Sequence, residues 1–321
     1  MTKTAWVFPG QGSQAVGMGV DLVDLPEAQS KFQQAEQILG WSVSDLCQGE
    51  EEQLSRTLYT QPCLYVIESI LADLLIERGQ QPDLVAGHSL GEYVALYAAR
   101  VFDFESGLRL VKRRAELMDA AAGGKMVALM KFNREQLEKA LDKNADVVLA
   151  NDNSAEQVVI SGTPEAVDSI ISQVKVKRAV PLKVSGAFHS PLMAPAAEEF
   201  QAILDSAPFA DAKVPVSCNV EPIPTVQGEQ LKERLKQQMT GSVRWREIML
   251  QLPAEGIAEV IEIGPGKVLA GLIKRTCPDL VLQNVNEVAD VATLCPASLL
   301  SESELEEQAI GSAQKQLVPL G

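Results

Sequence analysis

Ser89 lies in the sequence Gly87-His-Ser-Leu-Gly91, which matches the G-x-S-x-G pattern of serine nucleophiles. The apolar run Leu84 to Ala86 before it predicts a buried strand, and Glu92 to Ala99 after it predicts a helix with an apolar face. In that setting the serine occupies a tight strand-to-helix turn, and the flanking glycines leave room where the chain reverses. The pattern therefore predicts a nucleophilic Ser89; the alternative is an ordinary glycine-rich turn.

A nucleophilic serine needs a base, and the chain contains only two histidines. His88 is adjacent to Ser89 at the end of the predicted strand, where neighbouring side chains point in opposite directions, so it cannot readily reach the serine hydroxyl. His189 is the remaining candidate. It lies in Ser185-Gly-Ala-Phe-His-Ser-Pro191, far from Ser89 in sequence.

Arg114 is the basic residue that the sequence directs inward. A helix is predicted from Asp103, a plausible N-cap, to about Ala122. Arg114 falls four residues after Leu110 and three before Leu117, within an apolar stripe. A buried guanidinium needs an anion. That anion is either a ligand or the carboxylate of an internal salt bridge, and the pattern alone does not choose between them.

The glycine-rich segment Gly10-Gln-Gly-Ser-Gln14 follows a predicted first strand and partly fits a dinucleotide-binding fingerprint. The next clear element is the helical pattern Ala28 to Leu39, and no strand precedes it, which argues against a nicotinamide site. Beside a nucleophilic turn, such a loop can instead offer a backbone N–H to a developing oxyanion. The N–H of Leu90 would be the second donor.

Composition describes an ordinary globular protein of 321 residues, 46% hydrophobic and 22% charged. No run of about 18 apolar residues is present, and a strand-like run begins near the first residue, so we expect no membrane partner and no signal peptide. The net charge of −15 argues against nucleic-acid binding. Five cysteines without C-x-x-C spacing indicate a reducing cytoplasm and no metal site.

The predicted elements indicate an α/β fold with two parts. Alternating strands and helices over 1–124 and 190–290 predict a hydrolase-like large domain, with a mainly parallel sheet and helices on both faces. The order βαββαβ over 125–189 predicts an inserted ferredoxin-like small domain. The segment 291–321 is expected to be an acidic C-terminal tail. His189 would then meet Ser89 across the cleft between the domains.

These patterns together resemble the malonyl-CoA:acyl carrier protein transacylase family, the acyltransferases of fatty-acid and polyketide synthesis. The resemblance runs from Val7 to about Lys274. Its ordered motifs are Phe8-Pro-Gly-Gln-Gly-Ser-Gln14, Gly87-His-Ser-Leu-Gly-Glu-Tyr93, Arg114 in its helix, Gln157-Val-Val-Ile-Ser-Gly162, Gly186-Ala-Phe-His189, Val243-Arg-Trp245 and Ile263-Gly-Pro-Gly-Lys-Val-Leu269.

The resemblance implies roles for the catalytic residues. Ser89 matches the nucleophile that becomes the acyl-enzyme ester, and His189 matches its base. Gln11 and Leu90 match the residues whose backbone N–H groups form the oxyanion hole. Gln238 matches the glutamine whose backbone carbonyl orients the histidine in place of a triad aspartate.

It also implies how substrate is held. Arg114 matches the arginine that pairs with the free carboxylate of malonate, and Asn153 matches a polar residue lining the same cleft. Phe188 resembles the bulky residue of malonyl-selecting members, which crowds a methyl branch. Because one methyl is worth only about 1–3 kcal/mol, a preference for malonyl over methylmalonyl is a weaker expectation than the carboxylate requirement.

The implied activity is transfer of malonyl from malonyl-CoA to the phosphopantetheine thiol of acyl carrier protein through a malonyl-serine, with no permanently bound cofactor. Since carrier proteins of this family are typically acidic, we expect a basic patch of Lys267, Lys274 and Arg275 to meet them. The alternatives are an acyltransferase of a polyketide assembly line, a serine thioesterase that uses water, and a catalytically silent docking module.

Overall fold

A parallel sheet of five strands forms the centre of the computed structural model, which describes residues 2–121 and 123–294. Its strands are β1 (Lys3–Phe8), β2 (Leu84–Gly87), β7 (Val216–Ser217), β8 (Ile257–Ile263) and β9 (Val281–Val285). They stand in the order β7-β2-β1-β8-β9, with Trp6 of β1 opposite Val85 on one side and Ile261 on the other. Most of the predicted acidic tail lies outside the described residues.

Helices cover both faces of this sheet because β1 buries alternate side chains in opposite directions. Trp6 and Phe8 join one core cluster, whereas Ala5 and Val7 join another. The first face is covered mainly by α4 (Thr57–Glu77), α5 (Gly91–Ala98) and α6 (Phe104–Ala120), and the second by α11 (Trp245–Gln251) and α12 (Val268–Thr276). The predicted hydrolase-like α/β class is confirmed.

A second sheet, antiparallel, contains β3 (Lys125–Phe132), β4 (Val147–Ser154), β5 (Gln157–Gly162) and β6 (Val176–Pro181) in the order β4-β5-β3-β6. Its helices are α7 (Arg134–Leu141) and α8 (Pro164–Gln173). Val127 of β3 packs with them, while Met126 and Ala128 face the main core and the cleft. This is the predicted ferredoxin-like arrangement.

The edge strand β4 joins the antiparallel sheet to Val243, in the segment of the large domain between α10 (Gly228–Gln238) and α11. The N–H of Val243 donates to Ala150 at 2.8 Å, and the N–H of Asp152 donates to Val243 at 2.9 Å. We keep the domain boundaries at 125 and 189 as a proposal, supported by the fact that all four antiparallel strands lie between them.

The remaining helices surround these sheets: α1 (Pro26–Leu39), α2 (Val43–Gln48), α3 (Glu51–Leu54), α9 (Ala194–Ser206), α10 (Gly228–Gln238) and α13 (Val288–Leu294). The sequence patterns do not predict α2, α3, α13 or the edge strand β9. Within the described part of the chain, no helix has both the length and the apolar character needed to cross a membrane.

Candidate active site

Ser89 occupies a sharp turn between β2 and α5, and its φ of 54° lies in the left-handed region. A side chain at Gly87 would overlap the backbone of Gly91, and one at Gly91 would overlap the carbonyl of Phe8. Glycine is therefore required at both positions, because helix and strand backbones touch there. The strained turn places the Ser89 hydroxyl at the carboxyl edge of the sheet.

The structure brings His189 to Ser89 from the connection that follows β6. Its Nε2 lies 2.8 Å from Ser89 Oγ, and its Nδ1 lies 2.9 Å from the carbonyl oxygen of Gln238 and 3.1 Å from that of Gly241. Because carbonyl oxygens only accept, Nδ1 carries the ring proton and Nε2 is free to accept the serine proton.

The electrostatic environment keeps His189 neutral. Burial, and next the nearby positive charge of Arg114, lower the pKa of His189 to about 3. The imidazole is therefore in its basic form throughout the physiological pH range.

Arg114 is completely buried on α6 and contacts neutral groups. Its Nη1 donates to Gln61 Oε1 at 2.6 Å, and its Nη2 donates to Ser89 Oγ and to Gln238 Oε1, each at 3.0 Å. The guanidinium also lies over the Tyr93 ring at 5.3 Å. Among the described residues Arg114 forms no ion pair, so the internal salt bridge left open above is absent from that part of the chain.

Gln11 and Leu90 lie on the two sides of the serine turn. A side chain at Gly10 would overlap the His88 carbonyl, and the Leu90 nitrogen lies 3.6 Å from that point, so the glycine loop is pressed against the turn. The N–H groups of Gln11 and Leu90 donate to no acceptor in the described ranges. The Gln11 side chain donates to Thr57 at 3.1 Å, which holds the loop.

A cavity of about 200 Å³ opens at these groups, lined on one side by loops and helices of the large domain and on the other by strands β3, β4 and β5 of the antiparallel sheet. Asn153 lines it from β4 and lies 2.9 Å from His88 Nε2, so His88 is turned towards β4 and away from the serine. Phe188, immediately before His189, is buried and lines the same cavity.

Three further polar groups at the site were not anticipated from sequence: the side chains of Gln61, Asn219 and Gln238. Asn219 directly follows the edge strand β7, and the carboxyl ends of parallel strands commonly carry functional side chains. Gln61 is a polar residue near the start of a largely buried helix. The positions of Asn219 and Gln61 thus carried a sequence signal, but neither signal identifies the group that the side chain contacts.

Within residues 2–121 and 123–294, no group of three or more His, Cys, Asp or Glu side chains could hold a metal ion.

The chain belongs to the acyl transferase domain family, whose model matches residues 5–306. It is 63% identical to a malonyl CoA-acyl carrier protein transacylase of Synechocystis over 91% of this chain and all of that protein. It is 43% identical to a polyketide biosynthesis malonyl CoA-acyl carrier protein transacylase of Bacillus subtilis, over 85% of this chain and 97% of that one.

Solved structures agree with these relatives. The crystal structure of the Synechocystis malonyl-CoA:ACP transacylase superposes with a TM-score of 0.89, covering 91% of this chain and 99% of that one at 63% identity. A malonyl-transacylase solved in complex with its type II PKS acyl carrier protein superposes with a TM-score of 0.86, at 37% identity over 92% of this chain and 99% of that one.

Proposed function

We propose that the protein transfers the malonyl group of malonyl-CoA to the phosphopantetheine thiol of an acyl carrier protein. The observation that carries this proposal is a buried arginine that has no carboxylate partner among residues 2–121 and 123–294. Its Nη2 lies 3.0 Å from the Oγ of a serine, and that Oγ lies 2.8 Å from a neutral histidine. A nucleophile and base alone would suit many acyl groups. The arginine restricts the acyl group to one that ends in an anion.

In the first half-reaction, Ser89 Oγ attacks the thioester carbon while His189 Nε2 takes the hydroxyl proton. The tetrahedral intermediate has its oxyanion within reach of the N–H groups of Gln11 and Leu90. Collapse breaks the C–S bond, and His189 returns its proton to the departing thiolate of coenzyme A. Malonyl-Ser89 remains.

In the second half-reaction, the carrier-protein thiol loses its proton to His189 and attacks the malonyl-Ser89 ester. The C–O bond to Ser89 breaks, and the serine oxygen takes the proton back from His189. The kinetics are therefore ping-pong. The backbone carbonyl of Gln238 holds the imidazole orientation throughout both halves, since it accepts from Nδ1–H at 2.9 Å.

Selection of malonate follows from Arg114. A substrate carboxylate would replace neutral partners of the guanidinium and form a charge-assisted, bidentate pair. Phe188 and Asn153 would complete the acyl pocket from the other wall of the cavity. The pair also fixes the thioester carbonyl relative to the serine.

The pathway we propose is fatty-acid synthesis in the cytoplasm, with polyketide synthesis as the alternative. The relative at 63% identity is named simply as a malonyl CoA-acyl carrier protein transacylase, whereas the relatives named for polyketide biosynthesis are 43–44% identical. Malonyl-CoA and the phosphopantetheine of the carrier enter as substrates, and no resident cofactor is needed for either half-reaction.

The carrier protein would dock beside α12. This helix lines the cavity with Val268, whose side chain is exposed, and it carries Lys267 at its start and Lys274 and Arg275 in its last turn, all exposed. Charge reversal at these three positions is expected to raise the KM for carrier protein and leave malonyl loading intact. Unchanged carrier kinetics would remove this docking site.

Intact-mass measurement after mixing the protein with malonyl-CoA tests the function. A malonyl adduct that is absent from Ser89→Ala and disappears on adding holo carrier protein supports the transferase. Steady release of free coenzyme A without transfer would instead mean that water is the acceptor and that the protein is a thioesterase. If neither a malonyl adduct nor free coenzyme A is detected, the protein would be a catalytically silent docking module.

A further inference from the structure

Asn219 contacts the strained serine turn through both ends of its side chain. It is completely buried, two residues beyond the end of β7. Its Oδ1 accepts a hydrogen bond from the N–H of Ser89 at 2.7 Å, and its Nδ2 donates to the carbonyl of Gly87 at 2.6 Å. The Gly87 carbonyl is buried and the Ser89 N–H is partly buried, so loss of these partners would be costly.

The geometry has a simple origin in the register of the sheet. β2 and β7 are parallel, with Val85 opposite Val216 and Ala86 opposite Ser217, so continuation of both strands would place Asn219 opposite His88. In a parallel ladder the residue opposite His88 donates to the carbonyl one position before it and accepts from the N–H one position after it. The Asn219 carboxamide makes these two bonds in place of a backbone peptide.

The backbone of Asn219 is used elsewhere. Its N–H donates to Glu92 Oε2 at 3.1 Å, and its carbonyl accepts from the N–H of Arg244 at 3.0 Å. The same Glu92 oxygen accepts from Gln238 Nε2 at 2.7 Å, and that amide also donates to the Ser89 carbonyl at 2.9 Å. Hydrogen bonds to its backbone therefore fix the position of Asn219, and its side chain in turn fixes the serine turn.

We propose that Asn219 is a positioning residue for the nucleophile: its side chain extends the β2 ladder beyond the point where the strand leaves the sheet, and so fixes Ser89 in its left-handed conformation. A left-handed non-glycine residue persists only where its surroundings enforce it. If the turn relaxed, Ser89 Oγ would leave His189 Nε2, and the Leu90 N–H would turn away from the oxyanion. The inference rests on the proposed function only in taking Ser89 as the nucleophile.

The test measures Ser89 reactivity in two ways. One is the rate of malonyl-adduct formation at increasing malonyl-CoA. The other is labelling by a fluorophosphonate, in which the serine oxygen forms a P–O bond, fluoride leaves, and the proton passes to the base. Because the probe carries no malonyl group, it reports the nucleophile even if malonyl-CoA is not the substrate.

Asn219→Ala is expected to lower the maximal adduct rate and the labelling rate by about a hundredfold, the usual cost of a small misplacement of reacting groups. The half-saturating malonyl-CoA concentration should change by less than about threefold, because Arg114 is untouched. The matched control is Asn284→Ala, which removes an amide on β9, the opposite edge strand of the same sheet, where Nδ2 donates to Glu262 at 3.0 Å. It should label at the wild-type rate.

Asn219→Asp keeps the shape of the side chain and guards against failure of the alanine variant to fold. As a carboxylate it cannot donate to the Gly87 carbonyl, whereas its protonated form can, and burial beside Glu92 favours protonation. Its labelling rate relative to wild type should therefore rise between about pH 8 and about pH 5.5.

Three results would overturn the inference. They are a wild-type labelling rate in Asn219→Ala, a labelling rate in Asn284→Ala that falls as far as that of Asn219→Ala, and a labelling rate of Asn219→Asp, relative to wild type, that is the same at both pH values. A wild-type protein that labels with the fluorophosphonate but forms no malonyl adduct would contradict the proposed function instead, and the Asn219 comparison would still be decided.

Discussion

Two buried charged residues on opposite sides of the cleft, Asp152 and Arg114, have partners of different kinds. Asp152 on β4 is 5% exposed and receives two arginines, Arg134 Nη2 at 2.8 Å and Arg246 Nε at 3.1 Å. Arg114 is fully buried and bonds to neutral amides and a hydroxyl. The nearest carboxylate in its network, Glu92, is separated from it by the Gln238 amide.

The difference supports the proposed substrate-binding role of Arg114 and a structural role for Asp152. A buried ion is tolerated when its charge is neutralised in place, as at Asp152, which joins α7 to α11 across the two sheets. At Arg114 the cost of burial is not repaid by a carboxylate in the described chain, and its Nε has no hydrogen-bond partner there. The fold thus keeps a cation available for an anionic ligand.

The largest expected effect is that of Arg114→Ala. Loss of a buried charge-assisted pair costs about 2–5 kcal/mol, so malonyl-adduct formation should slow by about 30-fold to a few thousandfold. Adduct formation from acetyl-CoA should not fall by a comparable factor, because acetate has no second carboxylate. Intact-mass time courses with the two thioesters measure both rates.

Arg113→Ala is the matched control for that substitution. Arg113 is the preceding residue on α6, and it is half-exposed and paired with Glu116 and Glu199. Its loss should leave both rates near wild type. An equal loss of malonyl and acetyl transfer in Arg114→Ala would mean that the arginine supports the serine and does not select the acyl group.

Asp152→Ala should mainly reduce stability. It leaves Arg134 and Arg246 without their shared partner, and because both arginines remain about 30% exposed we expect a loss of about 1–3 kcal/mol in the free energy of unfolding. Urea unfolding measures this loss.

The control is Asp168→Ala, which removes an exposed partner of Lys125 and should reduce the free energy of unfolding far less. A collapse of malonylation in a folded Asp152→Ala protein would contradict the contrast with Arg114.

The pH dependence of Ser89 labelling tests whether the unpaired charge of Arg114 acts on His189. The pKa of His189 is held down by burial and then by the charge of Arg114, so the wild-type base stays neutral well below pH 7. Removal of the charge in Arg114→Ala raises that pKa towards its ordinary value. The loss of fluorophosphonate labelling on acidification should therefore begin at a higher pH in the variant. Superimposable profiles would show that Arg114 does not influence the base.

Much of the site was predictable because its main residues have local or countable signals. The nucleophile lies in a five-residue pattern, the base is one of two histidines, and helical periodicity directs Arg114 inward. The α/β class and the antiparallel insertion followed from the order of elements. The catalytic and substrate-binding roles of Ser89, His189 and Arg114 remain proposals, as do those of Gln11, Leu90, Asn153, Phe188 and Gln238.

The parts that were not predictable depend on packing between distant segments. Asn219 acts 130 residues away from Ser89, through the register of two parallel strands. Strand β7 is only two residues long, Val216–Ser217, and beyond it the Asn219 side chain makes the hydrogen bonds to the backbone of the serine turn. The edge strand Val281–Val285 is mostly exposed or half-buried and carries little periodic signal.

Glu68 is a third buried ionisable group, and its predicted effect on stability depends on pH. It lies on α4, is completely buried near Pro9 and Gly264, and neither carboxylate oxygen has a hydrogen-bond partner among the described residues. Burial, with the neighbouring Glu262 carboxylate, raises the pKa of Glu68 well above its ordinary value. The folded protein therefore retains a proton that the unfolded chain releases above about pH 4.5.

The sign of the pH dependence follows. Protonated Glu68 makes its full contribution to the free energy of unfolding below the pKa that Glu68 has in the unfolded chain. That contribution is lost as the pH rises towards the pKa of Glu68 in the folded protein, by up to about 1.4 kcal/mol per pH unit. Glu68→Gln imitates the protonated side chain and avoids that loss, so its unfolding free energy should exceed that of wild type by an amount that grows between pH 5 and pH 8. The exposed substitution Glu135→Gln controls for net charge. A constant difference would show that Glu68 is ionised in the fold, and that this protein tolerates a second unpaired buried charge besides Arg114.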